Sequence, residues 1–218
     1  MIEAVIFDMD GVLIESEELW NTTREDLARE RGGDWHAEAQ RTMMGMSSME
    51  WSRYMHDDLG VPDDPEWISD EVVRRLANRY RAELPVIDGA VEAVRGLADR
   101  WPLAVASSSN RPLINLVLEL TGLEACFRAT VSSEEVSRGK PEPDVYLAAA
   151  AGLGVKPEAC AAVEDSSNGI LAAANAGMRV VALPNTAFAP GQEALSRADI
   201  VLTSIKDLSV ETLGGLSD

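Results

Sequence analysis

The chain has 218 residues, 46% of them hydrophobic, with 16 Gly and 10 Pro, as expected of one large globular domain or a core carrying a smaller insertion. Asp and Glu outnumber Lys and Arg by 37 to 19, a net charge of −18, which argues against a nucleic-acid backbone or an anionic membrane surface as partner. Two cysteines, Cys126 and Cys160, with no CxxC pair, read as free thiols of a reducing compartment.

Ile2 to Phe7 is a β-branched run that reads as a strand and stops at Asp8-Met9-Asp10-Gly11. No basic segment precedes it and no apolar run reaches membrane-span length, so a soluble cytoplasmic protein is predicted. Residues 15–85 differ in character: they hold four of the five Trp, five of the eight Met, both His and no Lys. Apolar residues there recur at helical spacing, and Gly32-Gly33, Gly60 and Pro62 to Pro65 divide the stretch into four predicted helices. The spacing predicts an all-helical insert.

From Pro85 onward strands and helices alternate. A helix over 88–100 precedes a strand at Leu103 to Ala106, and Pro112 opens a helix to Thr121 that Gly122 stops. A strand at Ala129 to Val131 leads through a loop to Lys140, and a helix over Glu142 to Ala151 ends at Gly152. Strands at Ala161 to Val163, Arg179 to Leu183 and Asp199 to Leu202 follow, with a helix from Ser167 to Ala176 after the first of them. Alternating βα units predict an α/β fold: a Rossmann-like parallel sheet flanked by helices, with ligands at the carboxyl ends of the strands. The core is assigned to residues 1–14 and 86–218, and an inserted all-helical cap domain to 15–85.

This layout gathers polar residues on one edge of the sheet. Asp8 and Asp10 follow the first strand, Ser107, Ser108 and Ser109 the second, and Glu164 and Asp165 a later one; Lys140 lies in the loop ahead of a helix. Four neighbouring carboxylates cannot all ionise without a counter-charge, and a hard divalent cation held by oxygen ligands, Mg²⁺, is the natural remedy. Each feature also has a plainer reading: Asp8 and Asp10 as turn residues, Ser107 to Ser109 as a solvated loop, and Ser166 as a helix cap. Lys140 is one of three lysines against sixteen arginines, so this chain rarely chooses a compact ammonium. Asn110 and Arg111 open the helix behind the serines, where an anion could be met. Trp20, Trp51, Met46 and Met49 read as core of the insert or as pocket wall, with core preferred; His36 and His56 read as surface residues.

Phe7-Asp8-Met9-Asp10-Gly11-Val12, Ala106-Ser107-Ser108-Ser109, Gly139-Lys140-Pro141 and Val163-Glu164-Asp165-Ser166 resemble the four motifs of the haloacid dehalogenase-like superfamily, in the order of the branch with a helical cap after the first strand. The resemblance covers essentially the whole chain. It implies that Asp8 is a nucleophile forming an aspartyl-phosphate and that Asp10 is the acid and then the base. It further implies that Ser107 binds a phosphoryl oxygen and that Lys140 neutralises charge. Asp165, with Glu164, the Asp8 side chain and the Asp10 carbonyl, would hold Mg²⁺. Ser108, Asn110 and Arg111 are candidate substrate contacts.

Within that superfamily the dehalogenases lack an acid at the position of Asp10, and phosphonatases use a cap lysine that residues 15–85 do not contain. Two enzymatic readings remain: a phosphomonoester hydrolase acting on a small sugar or polyol phosphate, and a mutase resembling β-phosphoglucomutase. The mutase carries a cap histidine where this chain places Trp20, and a cap-loop arginine where this chain reads Gly45-Met46-Ser47-Ser48-Met49; Arg53, Arg74 and Arg75 are possible substitutes. The hydrolase is therefore preferred, as a monomer acting on a small phosphorylated metabolite. An inactive binding protein is disfavoured because all four charged motif residues are present.

Overall fold

A computed structural model describes residues 1–43, 46–185 and 189–217; Gly45 of the cap-loop stretch lies outside them. In chain order, β1 (Ala4–Phe7) is followed by four helices, α1 (Glu17–Glu30), α2 (Ala39–Met43), α3 (Ser48–Asp57) and α4 (Pro65–Ala82). Then come α5 (Ala90–Ala98), β2 (Leu103–Ser107), α6 (Arg111–Thr121), β3 (Phe127–Ser132), α7 (Asp144–Leu153) and β4 (Cys160–Glu164). The chain closes with α8 (Ser167–Asn175), β5 (Arg179–Ala182), α9 (Gln192–Leu195), β6 (Ile200–Val201) and α10 (Val210–Gly214).

The six strands form one parallel sheet in the order β3-β2-β1-β4-β5-β6. Strand order reverses direction between β1 and β4, the point at which an open α/β sheet offers a crevice at its carboxyl edge. The residues of β1, β2 and β4 are all buried, as a parallel sheet covered on both faces requires. The pleat sorts them by alternation: Val5, Phe7, Leu103, Val105 and Val163 face one apolar cluster, and Ala4, Ile6, Ala104, Ala106 and Ala162 the other. On the second face α7 and α8 present mostly alanines, so these helices lie close to the sheet.

Some boundaries move for local reasons. α7 starts at Asp144 rather than Glu142, because Pro143 occupies its N-cap position and a residue preceding proline is pushed out of helical geometry. It runs through Gly152 and ends at Gly154, which takes φ +68°. α5 begins after Gly89, and Asp88 pairs with Lys206 instead of capping it. The short α9 and α10 carry too few apolar repeats to be predicted.

The two chain segments that enter and leave the helical insert run side by side: Glu15 N–H donates to Pro85 O at 2.8 Å, and Ile87 N–H to Leu13 O at 3.0 Å. Both crossings are thus fixed at one place beside the end of β1. Within the insert, α4 is tied to α1 through ions as well as apolar side chains. Glu71 accepts from Arg74 and Arg75 (2.7–2.8 Å), and Arg75 reaches Glu30 on α1 at 2.6 Å.

Hydrogen bonding from Arg74, then from Arg75, pulls the Glu71 carboxyl down to about 2 from an ordinary 4.5. A depressed carboxyl stabilises the fold above its unfolded pKa, and that contribution is lost as pH falls through its folded pKa. Glu71→Gln should therefore cost about 1 kcal/mol at pH 7, and the difference from the parent should fade between about 4.5 and about 2. Urea denaturation of both proteins across that range checks it.

Candidate active site

β1, β2 and β4 end next to one another, and each delivers polar residues to the same edge. The centre is a buried knot of charge. Lys140 Nζ lies 2.5 Å from Glu164 Oε1 and 3.0 Å from Asp8 Oδ1, and its side chain is 3% exposed. Burial works against the ammonium, but Asp8 and Glu164 outweigh it and push the Lys140 pKa up. Glu164 is fully buried and its oxygens are occupied. Oε1 also accepts from Tyr146 Oη at 2.7 Å; Oε2 accepts from the backbone N–H of Asp165 (3.1 Å) and Ser166 (3.3 Å) and from Ser166 Oγ (3.1 Å). Its role in this geometry is to anchor Lys140.

Asp8 and Asp165 are differently placed. Asp8 Oδ1 is buried and accepts no well-aligned hydrogen bond. Burial holds its carboxyl well above the usual carboxylate range, with Lys140 pulling it back and Glu164 and Asp10 pushing it further up. Asp165 is raised chiefly by burial as well, then by Glu164 and Asp8. Oxygens of Asp8, Glu164 and Asp165 all lie within 4.8 Å of one another. Three carboxylates this close, with a single ammonium among them, fit a divalent cation with oxygen ligands. Asp8 and Asp165 line the cavity described below and Glu164 does not, so the first two are the oxygens free to bind.

Asp10, half-buried, is held from two sides. Ser16 Oγ (2.5 Å) and Trp20 Nε1 (3.4 Å) donate to Oδ1, from the start of the insert; Ser109 Oγ (2.7 Å) and Ser107 Oγ (3.4 Å) donate to Oδ2, from the end of β2. Four donors around one carboxylate fix its direction without adding charge.

Two glycines make room for this arrangement. Gly11 has φ +76°, and a Cβ there would lie 1.9 Å from Asp165 Oδ2. Gly169, in the first turn of α8, would place a Cβ 1.8 Å from Glu164 Oε1. Neither gap can be closed without moving a carboxylate.

Of the expected site residues, the structure brings Asp8, Asp10, Lys140, Glu164 and Asp165 together, with Ser108 and Ser109 on the cavity wall. Ser107 is fully buried and faces Asp10 while its Oγ accepts from Ser109 N–H at 3.0 Å. It sits behind that wall. Asn110 and Arg111 are not on it. Asn110 donates to Glu134 at 2.6 Å; Arg111 is fastened to Glu135 at 2.5–2.7 Å and to Thr130. A neighbouring carboxylate has claimed each, so the expected substrate contacts are turned toward β3 instead.

A cavity of about 520 Å³ opens between this edge and the insert, a size suited to a small metabolite. Trp20, Trp51 and Met46 line it, whereas Met49 does not and is partly exposed. His36 is exposed and His56 is bonded to the carbonyls of Val61 and Asp63, both away from the site. Two wall residues, Glu17 and Arg24, escape a motif reading. Glu17 Oε2 is buried without a partner, and burial first of all pushes its pKa up to about 7. Spacing held a faint signal: positions 17, 20 and 24 fall on one face of α1, and Trp20 was already a candidate wall residue.

Fold and site define an α/β enzyme with a phosphoryl-transfer type of centre, acidic and built around one lysine, beneath a helical insert. The profile of the haloacid dehalogenase-like hydrolases matches residues 2–177, and the chain belongs to that family. It is 34% identical to hexitol phosphatase B of Escherichia coli (strain K12) over 98% of this chain and 97% of the relative. Among solved structures, it resembles CbbY from Rhodobacter sphaeroides in complex with phosphate (TM-score 0.87, 28% identity, 98% of this chain and 100% of that one). It also resembles β-phosphoglucomutase from Clostridium difficile (TM-score 0.84, 25% identity, 99% and 96%). No helix among the described residues is long and apolar enough to cross a membrane.

Gly169→Ala should displace Glu164 from Lys140 and cost about 3–5 kcal/mol, the range for breaking a buried ion pair. Gly96→Ala in α5, where a Cβ meets nothing within 4 Å, should stabilise by about 0.5–1 kcal/mol. Denaturant titration of the two variants should move the midpoint in opposite directions.

Proposed function

We propose that this protein is a Mg²⁺-dependent phosphomonoester hydrolase for a small sugar or polyol phosphate, working as a cytoplasmic monomer through an aspartyl-phosphate. In this reading residues 15–85 act as a cap over a catalytic core of residues 1–14 and 86–218. The observation that carries it is the pairing of Lys140 with both Asp8 and Glu164 beside Asp10, at the floor of a cavity between the sheet edge and the helices.

An Asp8 carboxylate oxygen attacks phosphorus and the bond to the substrate oxygen breaks. Asp10 gives its proton to the departing alkoxide. It then takes a proton from the water that attacks phosphorus, and phosphate leaves as Asp8 returns to a carboxylate. Lys140, kept charged by its two carboxylate neighbours, offsets negative charge on the phosphoryl oxygens. Ser108 and Ser109 face the same group from the cavity wall, with Ser107 holding the loop and Asp10 in place. Mg²⁺ would be held by Asp8 and Asp165 with the Asp10 backbone carbonyl, and Glu164 supports the site through Lys140. The all-oxygen set favours this hard cation, which when bound supplies further positive charge to the phosphoryl oxygens. Identity to a hexitol phosphatase over nearly the whole chain supports a polyol or sugar phosphate as the substrate class.

Likeness to β-phosphoglucomutase favours one second reading, a phosphosugar mutase. Phosphate release over a panel of small phosphomonoesters with Mg²⁺, with β-glucose 1-phosphate and a bisphosphate primer included, separates the two. The hydrolase releases phosphate from one or a few esters without isomerisation; primer-dependent formation of glucose 6-phosphate with little free phosphate would identify the mutase. Asp8→Asn should reduce turnover below detection while leaving stability equal or higher, since it removes one charge from a crowded cluster. Asp10→Asn should lower kcat by about 10²–10⁴-fold. Excess EDTA should stop the reaction and added Mg²⁺ restore it; full activity in EDTA would rule out the metal.

A further inference from the structure

Arg24 and Lys140 are the two buried basic side chains among the described residues. Lys140 has two carboxylate partners. Arg24 has none, in a chain with 37 acidic residues: it makes no hydrogen bond or ion pair among the described residues, and its Nε is buried without a partner. Its guanidinium instead sits in the corner of two indoles, 4.5 Å from the ring centroid of Trp20 and 4.6 Å from that of Trp51, and those rings meet edge-on at 6.0 Å. Aromatic rings stabilise the cation, but they leave its buried Nε–H without an acceptor, a costly state for a buried group. The residue is 6% exposed and lines the cavity.

We infer that Arg24 recognises a second anionic group on the substrate, a carboxylate or a second phosphate at the end away from the reacting phosphoryl group. This rests on the phosphatase reading above and narrows it. A guanidinium has only donors, so its ligand must be an acceptor, and its donor fork suits an oxyanion. The span is short: Trp20 stacks on Arg24 with its face and donates to Asp10 with its Nε1 at 3.4 Å, so one indole separates the cation from the proposed general acid. A substrate of sugar size reaches both. Burial pulls the Arg24 pKa down to about 9, partly offset by Asp10, so the side chain is charged at neutral pH and an arriving anion meets little competing solvent. Arg41, also on the wall, has a side chain 81% exposed and paired with Glu38, and offers a weaker contact.

A matched six-carbon series tests this: glucitol 6-phosphate, 6-phosphogluconate and glucitol 1,6-bisphosphate, whose far ends are neutral, carboxylate and phosphate. The expected result is a kcat/KM about 10- to 100-fold higher for at least one anionic-ended ester than for glucitol 6-phosphate. In Arg24→Met that ratio should collapse toward one, and it should survive in Arg41→Gln. Which anionic ester is preferred distinguishes carboxylate from phosphate. Equal kcat/KM across the series, loss by one common factor in Arg24→Met, or collapse in Arg41→Gln instead would each overturn the inference. Calorimetric binding of the same three esters to the double variant Asp8→Asn, Arg41→Gln, which keeps Arg24 and removes the competing arginine, decides the matter if Arg24→Met does not fold or if no ester is hydrolysed. Tighter binding of an anionic-ended ester supports the assignment and equal binding overturns it. Absence of hydrolysis across the full panel, by contrast, counts against the phosphatase reading alone.

Discussion

Crowded negative charge at the carboxyl edge of the sheet is the constraint around which the rest of the molecule is arranged. Asp8, Glu164 and Asp165 offer oxygens within 4.8 Å of one another in a buried setting, and an isolated group of that kind would neutralise itself by taking up protons. Lys140 answers part of the charge and is itself positioned by Glu164, whose five donors leave it no freedom. Gly11 and Gly169 are consequences of the same crowding, since a methyl group at either would occupy the space of a carboxylate. The alanine-rich faces of α7 and α8 serve the same crowding, because they let helices sit close behind the sheet. A site of this kind is held by the surrounding core rather than by its own pair energies.

The cavity has two poles of different origin. Its floor comes from strand ends and carries Asp8, Asp10, Lys140 and Asp165, and its roof comes from α1 and the segment around α2 and α3, with Glu17, Arg24 and two tryptophans. Asp10 joins them, because Ser16 and Trp20 hold one oxygen from the insert while Ser107 and Ser109 hold the other from β2. A change in the insert's position would therefore be felt first at Asp10. Under the proposed function the sheet carries the chemistry and the helices the recognition, a division that lets one set of strand ends serve different substrates.

Much of this was legible from residue order alone. A parallel sheet follows from alternating βα units, and the ends of its strands locate Asp8, Ser107 and Glu164 on one edge whatever the details of packing. The four motifs are local in sequence, so the family and the charged residues at the strand ends could be read before any coordinates. The insert's four helices were legible too, from apolar spacing and glycine and proline breaks. What stayed hidden depended on contacts between distant segments. Nothing local says that Arg111 will be claimed by Glu135 or Asn110 by Glu134, each 24 positions away. Nor does anything in a Val-Glu-Asp-Ser string say that Glu164 spends its oxygens on Lys140 and backbone while Asp165 faces the cavity.

The sequence by itself determined the fold class, the order of its elements and the identity of the charged groups at the strand ends, because these rest on periodicity and on short motifs. Only the tertiary structure decided which of those groups are free to meet a ligand. It set Arg24 apart from the other arginines, since a side chain's partners are fixed by what the fold brings beside it: two indoles from α1 and α3, and no carboxylate.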